Sequence, residues 1–391
     1  MKMQKTLFAA IVALSWAATT GSAIAGQQTV ASPSGDAVIH IEDDASRFSV
    51  RWRGEAVVAA SPLGLELDGA PAFGALALDR REDTKVDREI PLVATKASVA
   101  RARYRGATLT FRATGAPARR LVIDVRAYDD GVAFRYRIDD PAPVRLVGER
   151  TAFVLSGDPE CLVTEYEPAH ERPFQRLKIS QLSEELRYDV PMVCTSRSGR
   201  ASLAIAQAHL EGYAGASLQR EGEAVRLHLS AVPGRAGPAF VSEAGLRTAW
   251  RVVMLGDRPG DMIASHLIGN LNPSPEGDFS WVVPGKAAWD WWSGPLEGVK
   301  PDLATYHRFI DFAAESGFPY YLIDAGWSWG AGPCCEARPT TDVTRAAEGI
   351  DMPGLVRYAA DKGVGLLLWV HWEHLAPRMD EVLDTYARWG I

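Results

Sequence analysis

The stretch that decides the fold of the second half of this chain is YYLIDAGWSW, residues 320–329. Its apolar first half is typical of a buried strand. That strand ends in a carboxylate, Asp324, which a glycine and two tryptophans follow. Related patterns occur at residues 286–292, KAAWDWW, and at residues 366–374, LLLWVHWEH. Polar and aromatic side chains at the ends of successive strands are typical of the active face of a parallel β/α barrel.

These three strand ends combine carboxylates with flat aromatic rings. Indole faces can pack against the C–H faces of sugars, and hydrolysis of a glycosidic bond needs two carboxyl groups. The pattern therefore predicts a glycosidase. The candidate substrate-binding residues are Trp289, Asp290, Trp291, Asp324, Trp327 and His371.

The roles of the individual carboxylates stay open at this stage. Asp290 and Asp324 can bind sugar hydroxyls, or they can bind the backbone of neighbouring loops. Glu373 is the third carboxylate near a strand end and a candidate catalytic base. A shift of one residue in the register of its strand would point it away from the pocket.

The chain has two compositional halves. Residues 27–280 show period-two alternation, which predicts a large β-sandwich. A hairpin is expected at Asp129-Asp130-Gly131, between two alternating runs. Nine of the twelve tryptophans lie from Trp281 onward. In this half, residues 281–391, we expect Trp281, Trp369 and Trp389 in the core.

Strands and helices alternate in residues 281–391, beginning with a strand expected from Gly285 to Trp292. Helices are expected from Pro301 to Gly317, with Tyr306 and Ile310 on the buried face, and after Asp351 as the N-cap. A third is expected from Pro377, with Met379, Val382, Leu383 and Tyr386 on one face. Three βα units cannot close an eight-stranded barrel, and a doubly wound sheet would expose an apolar edge. We therefore expect a fragment of a longer enzyme that is inactive alone.

The first residues predict export. Residues 1–25 have a basic start, a short apolar core and an Ala23-Ile24-Ala25 cleavage signal, so we expect a signal peptide, a periplasmic location and no membrane anchor. The net charge of −7 argues against a nucleic-acid partner. In an oxidising compartment, Cys161 and Cys194 are candidates for a disulfide.

The ordered set of motifs resembles glycoside hydrolase family 97. The resemblance rests on AYDDGVAFRY at residues 127–136, EYE at 165–167, WDWW at 289–292, IDAGW at 323–327 and the closing residues 379–391. It covers essentially the whole chain after the leader, in order.

The resemblance implies a multidomain β and α/β protein with a β-super-sandwich, a catalytic (β/α)8 barrel and a small C-terminal β domain. It implies exo-acting cleavage of terminal α-linked galactose or glucose from an oligosaccharide or other α-glycoside, with calcium near the substrate. At the matching position, Glu167 would be the calcium ligand from the first domain, with Glu165 as second choice. The catalytic acid and the nucleophile of retaining members would lie beyond Ile391. We favour a retaining α-galactosidase.

Three alternatives stay open beside this prediction. The first is an inverting α-glucosidase of the same family, for which Glu373 is the candidate base. The second is a non-catalytic carbohydrate-binding protein, because galactose-mutarotase-like sandwiches bind sugars without a barrel. The third is a glycosidase of a related barrel family, such as family 31 or 36. The sequence leaves the oligomeric state open.

Overall fold

The computed structural model describes residues 26–68, 73, 75–92, 95–114, 120–139, 141–167, 169–230, 237–293, 301–332 and 337–391, with only the backbone described at positions 292 and 293. The predicted signal peptide, residues 1–25, lies outside the described residues. Apart from residues 93–96, a first compact unit ends at Gly277 and a second begins at Asp278. None of the described helices is both long enough and apolar enough to cross a bilayer.

The first unit is built almost entirely from β-strands. They are β1 (Gln27–Ala31), β2 (Ala37–Glu42), β3 (Arg47–Trp52), β4 (Glu55–Pro62), β5 (Leu65–Leu67), β6 (Leu76–Pro91), β7 (Val99–Ala113), β8 (Arg120–Tyr128), β9 (Gly131–Ile138), β10 (Val144–Glu149), β11 (Ala152–Val154), β12 (Glu160–Val163), β13 (Gln175–Lys178), β14 (Arg187–Tyr188), β15 (Met192–Thr195), β16 (Ser202–Ala208), β17 (Ala216–Glu221), β18 (Ala224–Leu229), β19 (Phe240–Ser242), β20 (Leu246–Arg247) and β21 (Trp250–Gly256). A 3₁₀ turn (Ile179–Gln181) and two short helices, α1 (Asp261–Ala264) and α2 (Leu267–Asn270), complete it.

The largest sheet has ten strands in the order β13-β12-β15-β16-β21-β9-β8-β7-β6, with β20 paired to β9. Three smaller sheets have the orders β1-β2-β3-β4, β19-β10-β5 and β11-β18-β17-β14. Alternate side chains of these strands form one apolar core, because a β-strand turns successive residues to opposite faces. The predicted β architecture of this half is confirmed.

The hairpin between β8 and β9 forms where the sequence predicts it. Tyr128 pairs with Gly131, so Asp129 and Asp130 make a two-residue loop. Gly131 has a φ of +154°, and a Cβ there would lie 2.6 Å from the carbonyl oxygen of Val253. This position therefore needs glycine. The predicted disulfide between Cys161 and Cys194 is also present, between directly opposed residues of β12 and β15.

A buried ion pair lies inside the first unit. The Arg251 and Glu149 side chains are fully buried, and Nη2 of Arg251 lies 2.5 Å from Oε1 of Glu149. Tyr213 donates to the same carboxylate at 2.9 Å, and Thr151 donates to its other oxygen at 3.1 Å. Although burial alone would lower the pKa of Arg251, the Glu149 carboxylate holds that pKa above its ordinary value.

The second unit alternates strands and helices. Its elements are β22 (Ala287–Trp289), α3 (Asp290–Ser293), α4 (Leu303–Glu315), β23 (Tyr320–Ile323), β24 (Ser328–Trp329), β25 (Asp342–Ala346), α5 (Met352–Asp361), β26 (Gly365–Leu368), α6 (Trp372–Leu375), a 3₁₀ turn (Ala376–Arg378) and α7 (Met379–Trp389). Strands β22, β23 and β26 form a parallel sheet in that order, and β24 pairs with β25 in antiparallel fashion.

The helix ends follow the signals in the sequence. The Asp351 side chain accepts a hydrogen bond from Gly354 N, so this residue caps α5 as predicted. Asp302 caps α4 in the same way, through Thr305 N. Gly390 ends α7 with a φ of +91°, a left-handed conformation that favours glycine.

Several sequence-based expectations for this unit are wrong. The first strand is shorter than residues 285–292, because the chain turns into α3 at Asp290. Trp281 is 74% exposed rather than in the core. Helix α7 buries Val382 and Tyr386, but Met379 and Leu383 are each 51% exposed, so the apolar face of this helix is only partly covered.

Candidate active site

The carboxyl ends of the three parallel strands meet at one edge of their sheet. Trp289 of β22 pairs with Leu322, and Ile323 of β23 pairs with Leu368. The residues that follow, Asp290, Asp324 and Trp369, therefore leave the sheet side by side. This edge is where the sequence placed the candidate site.

Asp290 is buried and holds two neighbours. The Tyr321 hydroxyl donates to its Oδ2 at 2.8 Å, and the backbone N–H of Asp324 donates to its Oδ1 at 3.1 Å. Burial raises the pKa of the Asp290 carboxyl, the two hydrogen bonds lower it, and the nearby Asp324 charge raises it, with a net shift upward. Asp290 therefore ties the first strand end to the second.

Asp324 is likewise buried, with an exposed fraction of 9%. The indole N–H of Trp289 donates to Oδ2 of Asp324 at 2.7 Å, and the backbone N–H of the next residue, Ala325, donates to Oδ1 at 2.7 Å. Both neighbours of this carboxylate are donors only, so it must act as an acceptor on both oxygens. The indole of Trp289, half-buried, is oriented by this bond.

Two acidic side chains thus lie together without a basic partner. No Lys, Arg or His of the described residues forms an ion pair with Asp290 or Asp324. Burying carboxylates beside one another is unfavourable unless hydrogen bonds offset it. Such an arrangement can accept hydrogen bonds from sugar hydroxyls, and it is a common feature of binding and catalytic sites.

Of the aromatic candidates for substrate binding, Trp327 does not lie where a substrate can reach it. Its side chain is only 1% exposed, and its indole N–H donates to the carbonyl oxygen of Trp369 at 2.9 Å. The rings of Tyr386 and Trp389 pack edge-on against it. No face of this indole is free to stack on a sugar, so Trp327 supports the loops from within. Trp291 stays half-buried at the sheet edge.

His371 begins a short helix rather than ending a strand. Its Nδ1 accepts from Glu373 N at 3.3 Å, which makes it the N-cap of α6. Its ring stacks on Trp372, with 26° between the planes. Glu373 lies in this helix and is exposed. Beside it, Nε2 of His374 is buried and has no hydrogen-bond partner among the described residues; it lies against a cavity of about 20 Å³, roughly the space of one water.

Sequence reasoning missed two features of this edge. Tyr321, the donor to Asp290, lies within an apolar strand and is fully buried. The sequence does not distinguish it from its neighbour Tyr320, because only the direction in which each side chain leaves the strand decides which of the two reaches Asp290. Strands β24 and β25 were also missed. They display Trp329, 40% exposed, with the guanidinium of Arg345 4.5 Å from its ring centroid.

The predicted calcium ligands lie in the first unit. Oε1 of Glu167 accepts from Glu171 N at 3.0 Å, and Oε2 lies 3.7 Å from Nε of Arg172. Glu165 forms an isolated β-bridge with Tyr188. Calcium takes six to eight oxygen ligands. The described residues contain no group of three or more metal-binding side chains, so on their own they do not fit a calcium ion.

Two models of known protein families match this chain. Residues 30–274 match the model of the glycosyl-hydrolase 97 N-terminal domain, and residues 281–391 match that of glycoside hydrolase 97. The chain belongs to glycoside hydrolase family 97. The family resemblance seen in the sequence is therefore confirmed.

Two curated proteins are similar in sequence to this family 97 chain. A retaining α-galactosidase of Bacteroides thetaiotaomicron is 27% identical over 93% of this chain and 59% of its own length. A probable retaining α-galactosidase of Streptomyces bingchenggensis is 29% identical over 86% of this chain and 51% of its own. The chain thus spans between half and three fifths of the length of the curated relatives it matches.

Solved structures share the fold. A glycoside hydrolase family 97 enzyme of Pseudoalteromonas sp. strain K8 superposes with a TM-score of 0.83 at 22% identity, covering 93% of this chain and 58% of that one. A β-arabinopyranosidase superposes with a TM-score of 0.77 at 20% identity, covering 93% of this chain and 61% of that one. The mostly β architecture of this family 97 chain is therefore shared with solved enzymes.

Proposed function

We propose that this chain belongs to an exo-acting glycoside hydrolase that removes terminal α-linked galactose with retention of configuration. The observation that carries the proposal is the relationship to two proteins named as retaining α-galactosidases, over 93% and 86% of the chain. The buried carboxylates and indoles at the strand ends supply the chemistry of a sugar site. The substrate would be an oligosaccharide or another α-galactoside.

The three parallel strands are, in this proposal, the first three βα units of a (β/α)8 barrel. Their order follows the chain, and helices α4 and α5 connect them. In such a barrel the active site lies at the carboxyl ends of the strands. Asp290, Asp324 and the half-buried indoles of Trp289 and Trp291 would then line one side of the substrate pocket.

Within that pocket Asp290 and Asp324 would position substrate rather than react with it. Each carboxylate already accepts two hydrogen bonds from protein donors, so a sugar hydroxyl would be an additional partner. The proton donor and the nucleophile would come from strands beyond Ile391. Glu373, exposed beside the third strand, remains the one candidate base among the described strand ends.

The test is hydrolysis of aryl α-galactoside and aryl α-glucoside by the full-length gene product, followed by proton NMR. Early release of α-galactose supports the proposal, because a double displacement retains configuration. Early release of the β-anomer would establish inversion and make Glu373 a candidate base. Absence of turnover with both substrates would contradict the proposal and favour carbohydrate binding without catalysis.

An α-glucosidase is the second candidate function. The Pseudoalteromonas family 97 enzyme, which shares this fold, has been solved in complex with panose and with acarbose. These complexes concern a protein 21% identical to this chain, so they bear on the fold and not on the specificity. The ratio of kcat/KM for the two aryl glycosides decides between the candidates.

Calcium dependence is a further part of the proposal, with Glu167 as one ligand. The side chain is half-buried, and among the described residues its carboxylate contacts Glu171 N and, at a longer distance, Arg172, so one carboxylate oxygen can turn to a cation. Further oxygen ligands would have to come from elsewhere in the full-length protein. Calorimetric titration of the metal-free protein should show weaker calcium binding in Glu167→Gln. Unchanged affinity there, with a loss in the control Glu165→Gln, would move the assignment to Glu165.

A further inference from the structure

A cleft of about 310 Å³ opens on the ten-stranded sheet of the first unit. It lies on the face opposite the main apolar core, since Ile123 and Val125 of β8 point into that core and the residues between them point away. Its charged lining residues are Asp124, Arg126, Arg135, Arg137 and Arg247. Four arginines thus share one cleft with a single carboxylate.

That carboxylate is already occupied. Oδ2 of Asp124 accepts from Nε of Arg135 and from Nε of Arg137, each at 3.0 Å. Its Oδ1 accepts from the Thr108 hydroxyl at 3.2 Å. Arg137 has a second carboxylate outside the cleft, Asp139 at 2.7 Å.

The other two arginines have no such partner. Neither Arg126 nor Arg247 forms an ion pair with a carboxylate in the described part of the chain. Arg247 stands directly opposite Arg137 in the β20–β9 pairing, an arrangement of like charges that destabilises a sheet. The guanidinium of Arg126 instead lies 4.6 Å from the ring centroid of Trp250, beside that of Arg135 at 4.4 Å.

The positive charges in the cleft act on one another. The pKa of Arg135 is lowered, first by burial and then by Arg247 and Arg126, although Asp124 opposes the shift. The pKa of His209, which does not line the cleft, is also lowered by burial and then by Arg135, Arg247 and Arg126, with Glu211 opposing. An arrangement that repels itself is stabilised when an anion enters it.

We propose that this cleft binds an oxyanion, the carboxylate or phosphate group of a small ligand, between Arg126 and Arg247. Guanidinium groups match planar carboxylates and phosphates through paired N–H donors. A neutral sugar offers no charge to offset the repulsion. All of its lining residues belong to the first unit. The ligand would be either an acidic saccharide or a free inorganic anion.

The test is calorimetric titration of the full-length protein at low salt with D-galacturonate, inorganic phosphate and neutral D-galactose. We expect an anion to bind. Galactose should not bind at this site, and it should not displace the bound anion. Arg126→Gln and Arg247→Gln should each weaken anion binding about tenfold, the loss of one charge-assisted contact. The exposed Arg47→Gln removes the same charge from another sheet and should leave binding unchanged.

Two sources of the anion give different results, and both support the site. Preference for galacturonate over phosphate indicates an acidic saccharide, and equal binding indicates a general oxyanion site. The proposal would be overturned if no anion binds, if both variants bind the anion as tightly as the parent protein does, or if galactose displaces the anion. If Arg126→Gln fails to fold because its ring contact is lost, the exposed Arg247→Gln decides alone.

Discussion

The two units of this protein bury carboxylates in opposite ways. In the first unit Glu149 faces Arg251, and the remaining contacts are donors that complete a neutral pair. In the second unit Asp290 and Asp324 lie next to each other with backbone, indole and phenol donors but without a cation in the described chain. The first arrangement joins distant strands, whereas the second leaves negative charge at the ends of parallel strands.

The buried pair and the strand-end carboxylates call for different explanations. A compensated buried pair is explained by the fold that it connects, since residues 149 and 251 join β10 to β21. Uncompensated carboxylates raise the energy of the folded state. Groups that a fold holds at such a cost are candidates for a functional site, and these two lie at the edge where the proposed barrel would bind its substrate.

The largest expected effect comes from breaking the compensated pair. Arg251→Met leaves the Glu149 charge buried without its partner, so we expect the free energy of unfolding to fall by about 3–5 kcal/mol. Urea denaturation followed by circular dichroism measures it. The control is Arg101→Met, which breaks an ion pair with Asp87 whose side chains are 63% and 42% exposed, and it should leave the midpoint unchanged. Equal midpoints for the two variants would contradict the structural role of the buried pair.

A smaller effect is expected at the uncompensated carboxylates, and it should differ between them. Asp324→Asn places an amide N–H₂ against a donor, Trp289 or Ala325, so one hydrogen bond is lost and stability should fall by about 1–3 kcal/mol. In Asp290→Asn the amide can donate to the Tyr321 hydroxyl while its oxygen still accepts from Asp324 N. That variant should lie within about 1 kcal/mol of the parent protein.

Asp324→Asn, made in the full-length protein, also tests whether this carboxylate binds substrate. If Asp324 binds a substrate hydroxyl, kcat/KM of the folded Asp324→Asn protein should fall about a hundredfold, or about 2.7 kcal/mol. Assays at a temperature well below the midpoint separate this loss from unfolding. A parental kcat/KM would assign Asp324 to loop support alone.

How far the sequence predicts this molecule depends on the range of the interactions involved. The N-cap Asp351 and the hairpin at Asp129-Asp130-Gly131 are local signals, and both are confirmed. The apolar runs also locate the three parallel strands, although β26 ends at Leu368, two residues before its apolar run stops. Strands β24 and β25 were missed because Ser328–Trp329 is too short to show a period and its partner strand begins 13 residues after Trp329.

The site is predicted less completely than the fold, because residue type does not reveal facing. Trp327 and Trp289 stand in similar motifs, yet one is sealed in the core and the other is oriented by Asp324. Tyr321 was missed because β23 consists only of apolar and aromatic residues, so its sequence shows no polar alternation that would reveal which side chains face inward. The Glu149–Arg251 pair joins residues 102 apart, and no spacing rule anticipates it.

The smallest expected effect is a change in the pH dependence of stability. Because the folded Asp290 carboxyl has a raised pKa, it binds its proton more tightly than the unfolded chain does. Its contribution is therefore full below the ordinary pKa of 3.8 and is lost as the pH rises through the raised value. Asp290→Asn removes this dependence, so its stability relative to the parent should improve as the pH rises across that interval. Urea denaturation at a series of pH values measures the difference.

An opposite slope is expected at a carboxylate that has a cation. The Arg101 guanidinium lowers the pKa of exposed Asp87, so its contribution is present above pH 3.8 and is lost as the pH falls further. The difference between Asp87→Asn and the parent protein should therefore shrink on acidification. Slopes of the same sign for Asp87→Asn and Asp290→Asn would show that the Asp290 carboxylate is compensated after all, by a group that the strand-end geometry does not reveal. Opposite slopes would show that the fold holds the ionised Asp290 carboxylate at a cost in free energy.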